Sequence, residues 1–137
     1  MATRRRAREV VLQMLFQFEA NQSEPQRVID LYKGCFGEGP LPDDFSTELF
    51  LNVANSIQTI DGTIKAASEN WRLERMSRVD RNILRMGVFE LENSKEIPAR
   101  VVINEAVELA KRFGSDDSAS FVNGVMDRIA KDARHMD

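Results

Sequence analysis

Apolar positions follow a helical period along nearly the whole chain. In residues 3–21, Val11, Met14, Leu15 and Phe18 stand at i, i+3, i+4 and i+7, and Leu12 and Phe16 widen the stripe. Residues 22–25 break the pattern, and Pro25 suits the first turn of a second helix over about 26–36, carrying Val28, Ile29, Tyr32 and Phe36. Gly34 to Pro42 holds three Gly and two Pro and predicts a loop. The run Leu49, Val53, Ile57, Ile60, Ile64 then predicts one long helix over about 43–67, with Asp43 and Asp44 at its positive end. Residues 68–76 read as a short connecting helix around Trp71. Ser77 to Asp80 has capping-box spacing and opens a helix over about 77–93 that buries Val79, Ile83, Leu84, Met86, Val88 and Leu91. Pro98 fits the first position of the next helix, which carries Val102, Ala106, Leu109 and Phe113, and Gly114 fits its stop. Ser115, Asp116 and Asp117 open a last helix with Val122, Val125, Met126 and Ile129 inward. Strand signals are poor. The expected fold is all-α, a single domain over 1–137 of about six to seven helices. It forms two small bundles packed at an angle, about 1–67 and 68–137, with the boundary near 67–72.

A chain of 137 residues buries enough surface, roughly 68–70% of its unfolded total, to fold without staples. Cys35 is the lone cysteine, so an intramolecular disulfide and a CxxC site are excluded. His135 is the lone histidine, third from the end, so a histidine metal cluster is excluded and a Ser-His-Asp machine would need its base in a terminal tail. No catalytic residue, metal or cofactor is expected. No apolar run approaches the length of a membrane span, and Gln13, Gln17 and Glu19 interrupt the start, so no secretory signal is read and a cytoplasmic setting is the default.

Charge changes the picture more. The net charge is −3, from 19 Lys and Arg against 22 Asp and Glu. Residues 1–8 carry four Arg and no acid; removing that +4 from −3 leaves −7 on the remainder. Cations at a helix start oppose the macrodipole, by about 0.3–1 kcal/mol each. Arg4, Arg5, Arg6 and Arg8 also repel one another. An external polyanion relieves both, and the guanidinium fork matches phosphate. The plainer alternative is a solvated basic tail. Phe16 and Phe18 stack bases if exposed, although the helical stripe taken alone assigns each to the core.

Arg72, Arg75, Arg78, Arg81 and Arg85 recur at 3, 3, 3 and 4. With a cap at Ser77 only the last three form one stripe, and a charge-laced surface helix with local ion pairs accounts for it. Gly124 lies inside the last helix at a cost of about 1 kcal/mol relative to Ala. Close helix packing and close approach of a ligand backbone are the two explanations.

Three blocks stand together: Arg4 to Glu9 with Gln13, Leu15 and Phe16; Val79-Asp80-Arg81-Asn82-Ile83-Leu84-Arg85 continuing to Glu90-Leu91; and Ile97-Pro98 through Val102-Ile103-Asn104-Glu105-Ala106-Val107-Glu108-Leu109-Ala110-Lys111, then Phe113-Gly114 and Phe121-Val122-Asn123-Gly124-Val125. In this order and spacing the sequence resembles the NusB family of bacterial transcription antitermination factors over nearly its whole length. Residues 22–48 match only in helical character.

The resemblance implies two helical bundles and no enzyme activity. It implies binding of the single-stranded boxA element of ribosomal RNA leader transcripts, jointly with NusE, a small-subunit ribosomal protein, within the RNA polymerase antitermination complex. Arg4, Arg5, Arg6 and Arg8 match the family's arginine-rich RNA-binding motif. Phe16 falls where relatives can carry Tyr at the RNA surface. Phe113, Asp117 and Phe121 fall in the second stretch that lines the RNA site, and Ser120 takes a place where a Lys can occur. Glu74 and Asp80 fall in the region facing NusE. The arginine cluster and the 121–124 segment are expected on one continuous face. A homodimer that hides this face until NusE arrives is compatible with the sequence.

Two other readings stand beside it. One is a helical protein-binding adaptor with an incidental basic tail. The other is the RNA-binding domain of a ribosomal RNA cytosine methyltransferase, which should continue into a Rossmann-like cofactor domain; the sequence ends at Asp137 with no Gly-rich strand-turn-helix.

Overall fold

A computed structural model describes residues 3–22, 24–35, 43–68 and 73–134 of the chain. Among these residues the structure is helical and has no strand: α1 Arg4–Asn21, α2 Pro25–Cys35, α3 Asp44–Ala54, α4 Ile57–Ala67, a 3₁₀ turn Leu73–Arg75, α5 Arg78–Asn93, α6 Ala99–Phe113 and α7 Ser118–Arg134. Phe36, residues 37–42, Trp71, Arg72 and His135 lie outside the described residues. No described helix is long and apolar enough to cross a membrane.

The chain divides into two compact units, Met1–Ser56 and Ile57–Asp137. The division falls earlier than the break read near 67–72, because the single helix expected over 43–67 is two. Asn55 N–H still donates to the Leu51 carbonyl, four residues back, but Ser56 N–H donates to Val53, three back. The tightened turn ends α3 at two residues whose short polar side chains favour helix ends. The apolar repeat runs through this break unchanged, so periodicity alone cannot register it.

In the first unit α1 packs against α2 and α3, and α2 against α3. The core joins Val11, Met14 and Leu15 of α1 with Val28 and Ile29 of α2 and Phe50 and Val53 of α3, all essentially inaccessible. Tyr32 is buried, and its hydroxyl donates to Gln13 Oε1 at 2.8 Å. Burial pushes its phenol above the ordinary value, partly offset by the charge of Arg6. Asp43 caps α3 by accepting from Ser46 N–H at 2.8 Å. That bond, with Ser46 Oγ–H and the nearby Arg4 charge, holds the Asp43 carboxyl below its ordinary value.

In the second unit α5, α6 and α7 pack mutually, and α4 packs on α5 and α7. Ile83, Leu84, Leu91, Val122 and Met126 are fully enclosed. Ser77 is the α5 cap, accepting from Asp80 N–H at 3.1 Å as its spacing predicts. Pro98 caps α6 from just outside rather than occupying its first turn. Gly114 ends α6 in extended backbone, not the left-handed turn that usually selects glycine there. Crowding explains it instead: a Cβ would lie 2.6 Å from Ser118 Cβ and 2.8 Å from the Ala110 carbonyl oxygen.

Arginines hold this unit together. Arg85 is buried and pairs bidentately with Asp61 of α4, Nε to Oδ1 at 2.8 Å and Nη2 to Oδ2 at 2.9 Å. Its Nη1 also donates to Asn82 Oδ1 at 3.1 Å, and Asn82 is completely buried. Arg81 Nη1 donates to the carbonyls of Leu73 and Met76, fastening the 3₁₀ turn to α5. Arg134 donates to the Leu91 carbonyl at 2.8 Å, a group left open in the last turn of α5, and to the Ile97 carbonyl at 2.9 Å in the connection to α6. The charge-laced surface stripe expected at Arg78, Arg81 and Arg85 is therefore corrected: two of the three work inside the fold.

Candidate nucleic-acid interface

Thr3 caps α1, its Oγ1 accepting from Arg6 N–H at 3.1 Å. Arg4, Arg5 and Arg6 are thus the first three residues of the helix, and that turn contains no acid. Three guanidiniums sit where backbone N–H groups already point outward, so the helix start concentrates positive potential. All three side chains are exposed. Arg6 leans on Glu9 at 3.1 Å while remaining 50% accessible; Glu9 itself is enclosed. Arg4 stands over the Phe45 ring of α3, its guanidinium carbon 3.9 Å from the centroid. Arg8 is one turn further in, 5.5 Å from the same ring and only 4% exposed. The exposed arginines at this end are Arg4, Arg5 and Arg6.

The two phenylalanines further along α1 part company. Phe18 packs edge-on against Phe50, with centroids 6.1 Å apart at 88°. Phe16 is 39% exposed, contrary to the core assignment its stripe suggests, and presents an aromatic surface on the same helix as the arginines.

The second unit carries another concentration of candidates where α6 ends and α7 begins. A cavity of about 390 Å³ is lined by Arg75, Ser77 and Asp80 on one side and Asp117, Ser120 and Phe121 on the other. Asp117 and Ser120 are exposed and Phe121 is half-buried. Phe113 is 37% exposed, with the Arg112 guanidinium 5.2 Å from its ring centre. Glu74 is exposed on the 3₁₀ turn. Asp80 Oδ1 is buried without a hydrogen-bond partner among the described residues. A carboxylate oxygen in that position calls for a donor that the described residues do not supply. No group of His, Cys, Asp and Glu able to hold a metal occurs among the described residues.

Residues 5–131 match the NusB family. The chain belongs to that family. The transcription antitermination protein NusB of Sorangium cellulosum (strain So ce56) is 47% identical over 137 residues, covering 100% of this chain and 98% of that protein. Its counterpart in Myxococcus xanthus (strain DK1622) is 43% identical over 134 residues, covering 95% and 96%. Among solved structures, T. maritima NusB superposes with a TM-score of 0.80 at 36% identity, over 95% of this chain and 92% of that one. A crystal structure of the antitermination factors NusB and NusE in complex with double-stranded RNA gives 0.80 at 25% identity, over 94% and 96%. The resemblance carried by the arginine, 79–91 and 97–125 blocks is therefore one of family.

Within the NusB frame, the glycine of the 121–125 block changes meaning. A Cβ on Gly124 meets nothing within 4 Å, and the residue is exposed, so close helix packing does not explain it. That role belongs to Gly87 of α5, unremarked in the sequence: a Cβ there would lie 2.6 Å from Met126 Cε. Gly124→Ala is accordingly expected to raise stability by about 1 kcal/mol, the ordinary helix-interior gain. Urea unfolding measures it, and destabilisation would restore the packing explanation.

Proposed function

We propose that this chain is an RNA-binding antitermination factor that takes up the boxA element of ribosomal RNA leader transcripts together with NusE, as part of the RNA polymerase antitermination complex in the cytoplasm. The observation that carries the reading is the start of α1: three exposed arginines in an acid-free first turn, against the helix dipole, on a protein whose other residues are net acidic. Arg4, Arg5 and Arg6 supply the sequence-independent grip on phosphate, with Arg8 behind them. Phe16, Phe113 and Phe121 offer rings on which unpaired bases stack, and Asp117 and Ser120 offer polar edges. The acidic remainder disfavours indiscriminate coating of RNA. Family membership and the solved NusB–NusE–RNA relative support the same assignment.

Asp80 and Glu74 are assigned to NusE. The Asp80 oxygen, unpartnered among the described residues, supports this as an acceptor for a cationic or N–H donor. The test is binding of boxA-like RNA, as a single strand and as a duplex of the same sequence, with and without NusE. Tighter binding with NusE is the expected result, and Asp80→Ala should abolish most of that enhancement while leaving binding by the chain alone unchanged. Equal binding with and without NusE would sink the joint-site reading. RNA binding with no salt dependence would favour the protein-binding adaptor.

A further inference from the structure

We propose that Phe45 is a positioning residue for RNA binding, holding Arg4 in place through its ring; the inference rests on the RNA-binding reading above. Three of the α1 arginines are supported in different ways. Arg6 is tied to a carboxylate, Glu9, and that bond uses one of its N–H donors. Arg4 and Arg8, one turn apart and so on one face of α1, instead flank the ring of Phe45, with guanidinium carbons 3.9 Å and 5.5 Å from its centre. Attraction between a cation and a ring face engages the whole guanidinium and uses no N–H donor. Arg4 is therefore held while its donors stay available for phosphate.

Phe45 is itself fixed. It lies in the first turn of α3, next to the Asp43 cap and beside Ser46, whose Oγ–H donates to Asp43 Oδ1 at 2.8 Å and whose Oγ lies 3.4 Å from the Ala7 carbonyl of α1, against which α3 packs. The start of α3 is thereby docked on the start of α1, and the ring is a rigid platform on an ordered element. A long arginine side chain loses considerable rotamer freedom when it binds phosphate, and a platform that has already restricted it lowers that cost.

Affinity for single-stranded boxA-like RNA should be measured for Phe45→Leu, Phe45→Tyr, Arg4→Ala and the double variant Arg4→Ala with Phe45→Leu. Phe45→Leu keeps apolar bulk but loses the ring, and it should weaken binding about two- to fivefold. Phe45→Tyr keeps the ring and should bind as the wild type does. In the Arg4→Ala background, Phe45→Leu should have no further effect, whereas a merely structural role would give additive losses. NMR of the Arg4 side chain adds a readout independent of RNA: its ring-current shift should vanish in Phe45→Leu and persist in Phe45→Tyr. Wild-type affinity in Phe45→Leu, or additive losses in the double variant, would overturn the inference and leave the RNA reading standing. Wild-type affinity in Arg4→Ala together with Arg5→Ala and Arg6→Ala would overturn both.

Discussion

Replacing Arg85 by Ala should cost the second unit about 3 kcal/mol of stability, the lower end of the range for breaking a buried ion pair. Two observations set the size. The Arg85 and Asp61 side chains are only 10% and 16% accessible, so neither charge regains full hydration when its partner is lost. The same guanidinium also serves Asn82, which is completely buried and would lose a donor to Oδ1. Asp61→Ala should cost a similar amount, by stranding the arginine instead. Changing both residues together to Met and Leu should recover most of the loss, because apolar packing avoids the desolvation that the charges suffer. Urea unfolding of the wild type and these three variants at neutral pH measures this. Single-variant losses below 1 kcal/mol would mean that the bridge is effectively solvated.

Changing Arg4, Arg5 and Arg6 together to Ala should weaken RNA binding roughly 30-fold at 0.2 M salt and several hundredfold at 50 mM. Each exposed arginine neutralises one phosphate, and each phosphate on a single strand contributes about −0.7 to the log–log salt dependence. Arg8 is left out because it is 4% exposed. Stability should change little: none of the three is buried, the half-exposed Arg6–Glu9 pair that is lost contributes under about 1 kcal/mol, and removing cations from the first turn of a helix offsets it. The corresponding Lys variant should keep most of the salt dependence while losing the bidentate fork. A large loss in the Ala variant with a small loss in the Lys variant is the signature of phosphate contact.

The sequence carried the helical class, most helix limits, the Ser77 cap and the charge division at residue 8, since these depend on neighbours along the chain. It did not carry what depends on neighbours in space. The turn at Asn55 and Ser56 interrupts hydrogen bonding without interrupting the apolar repeat. Arg81, Arg85 and Arg134 look like surface cations in the sequence, yet each is committed to carbonyls or a carboxylate inside the fold. The partner of Arg85 lies 24 residues away on another helix, beyond any local spacing rule.

The candidate site was legible in the same uneven way. The arginine block was visible because four cations at a helix start have no structural justification. Their different fates were not: Arg6 on Glu9, Arg4 and Arg8 on Phe45, with Arg8 enclosed. Phe45 itself gave no signal, since one phenylalanine after two aspartates reads only as part of a helix start. Gly87 and Gly124 are equally unfavourable in a helix by propensity; only the position of Met126 distinguishes the packed one from the open one.

The most direct test of the central claim, that the start of α1 is an RNA phosphate-binding edge, is the salt dependence of binding to single-stranded boxA-like RNA for the wild type and for the Arg4, Arg5, Arg6 triple Ala variant. The log–log slopes should differ by about 2, the wild type being steeper. Equal slopes for the two proteins would contradict it.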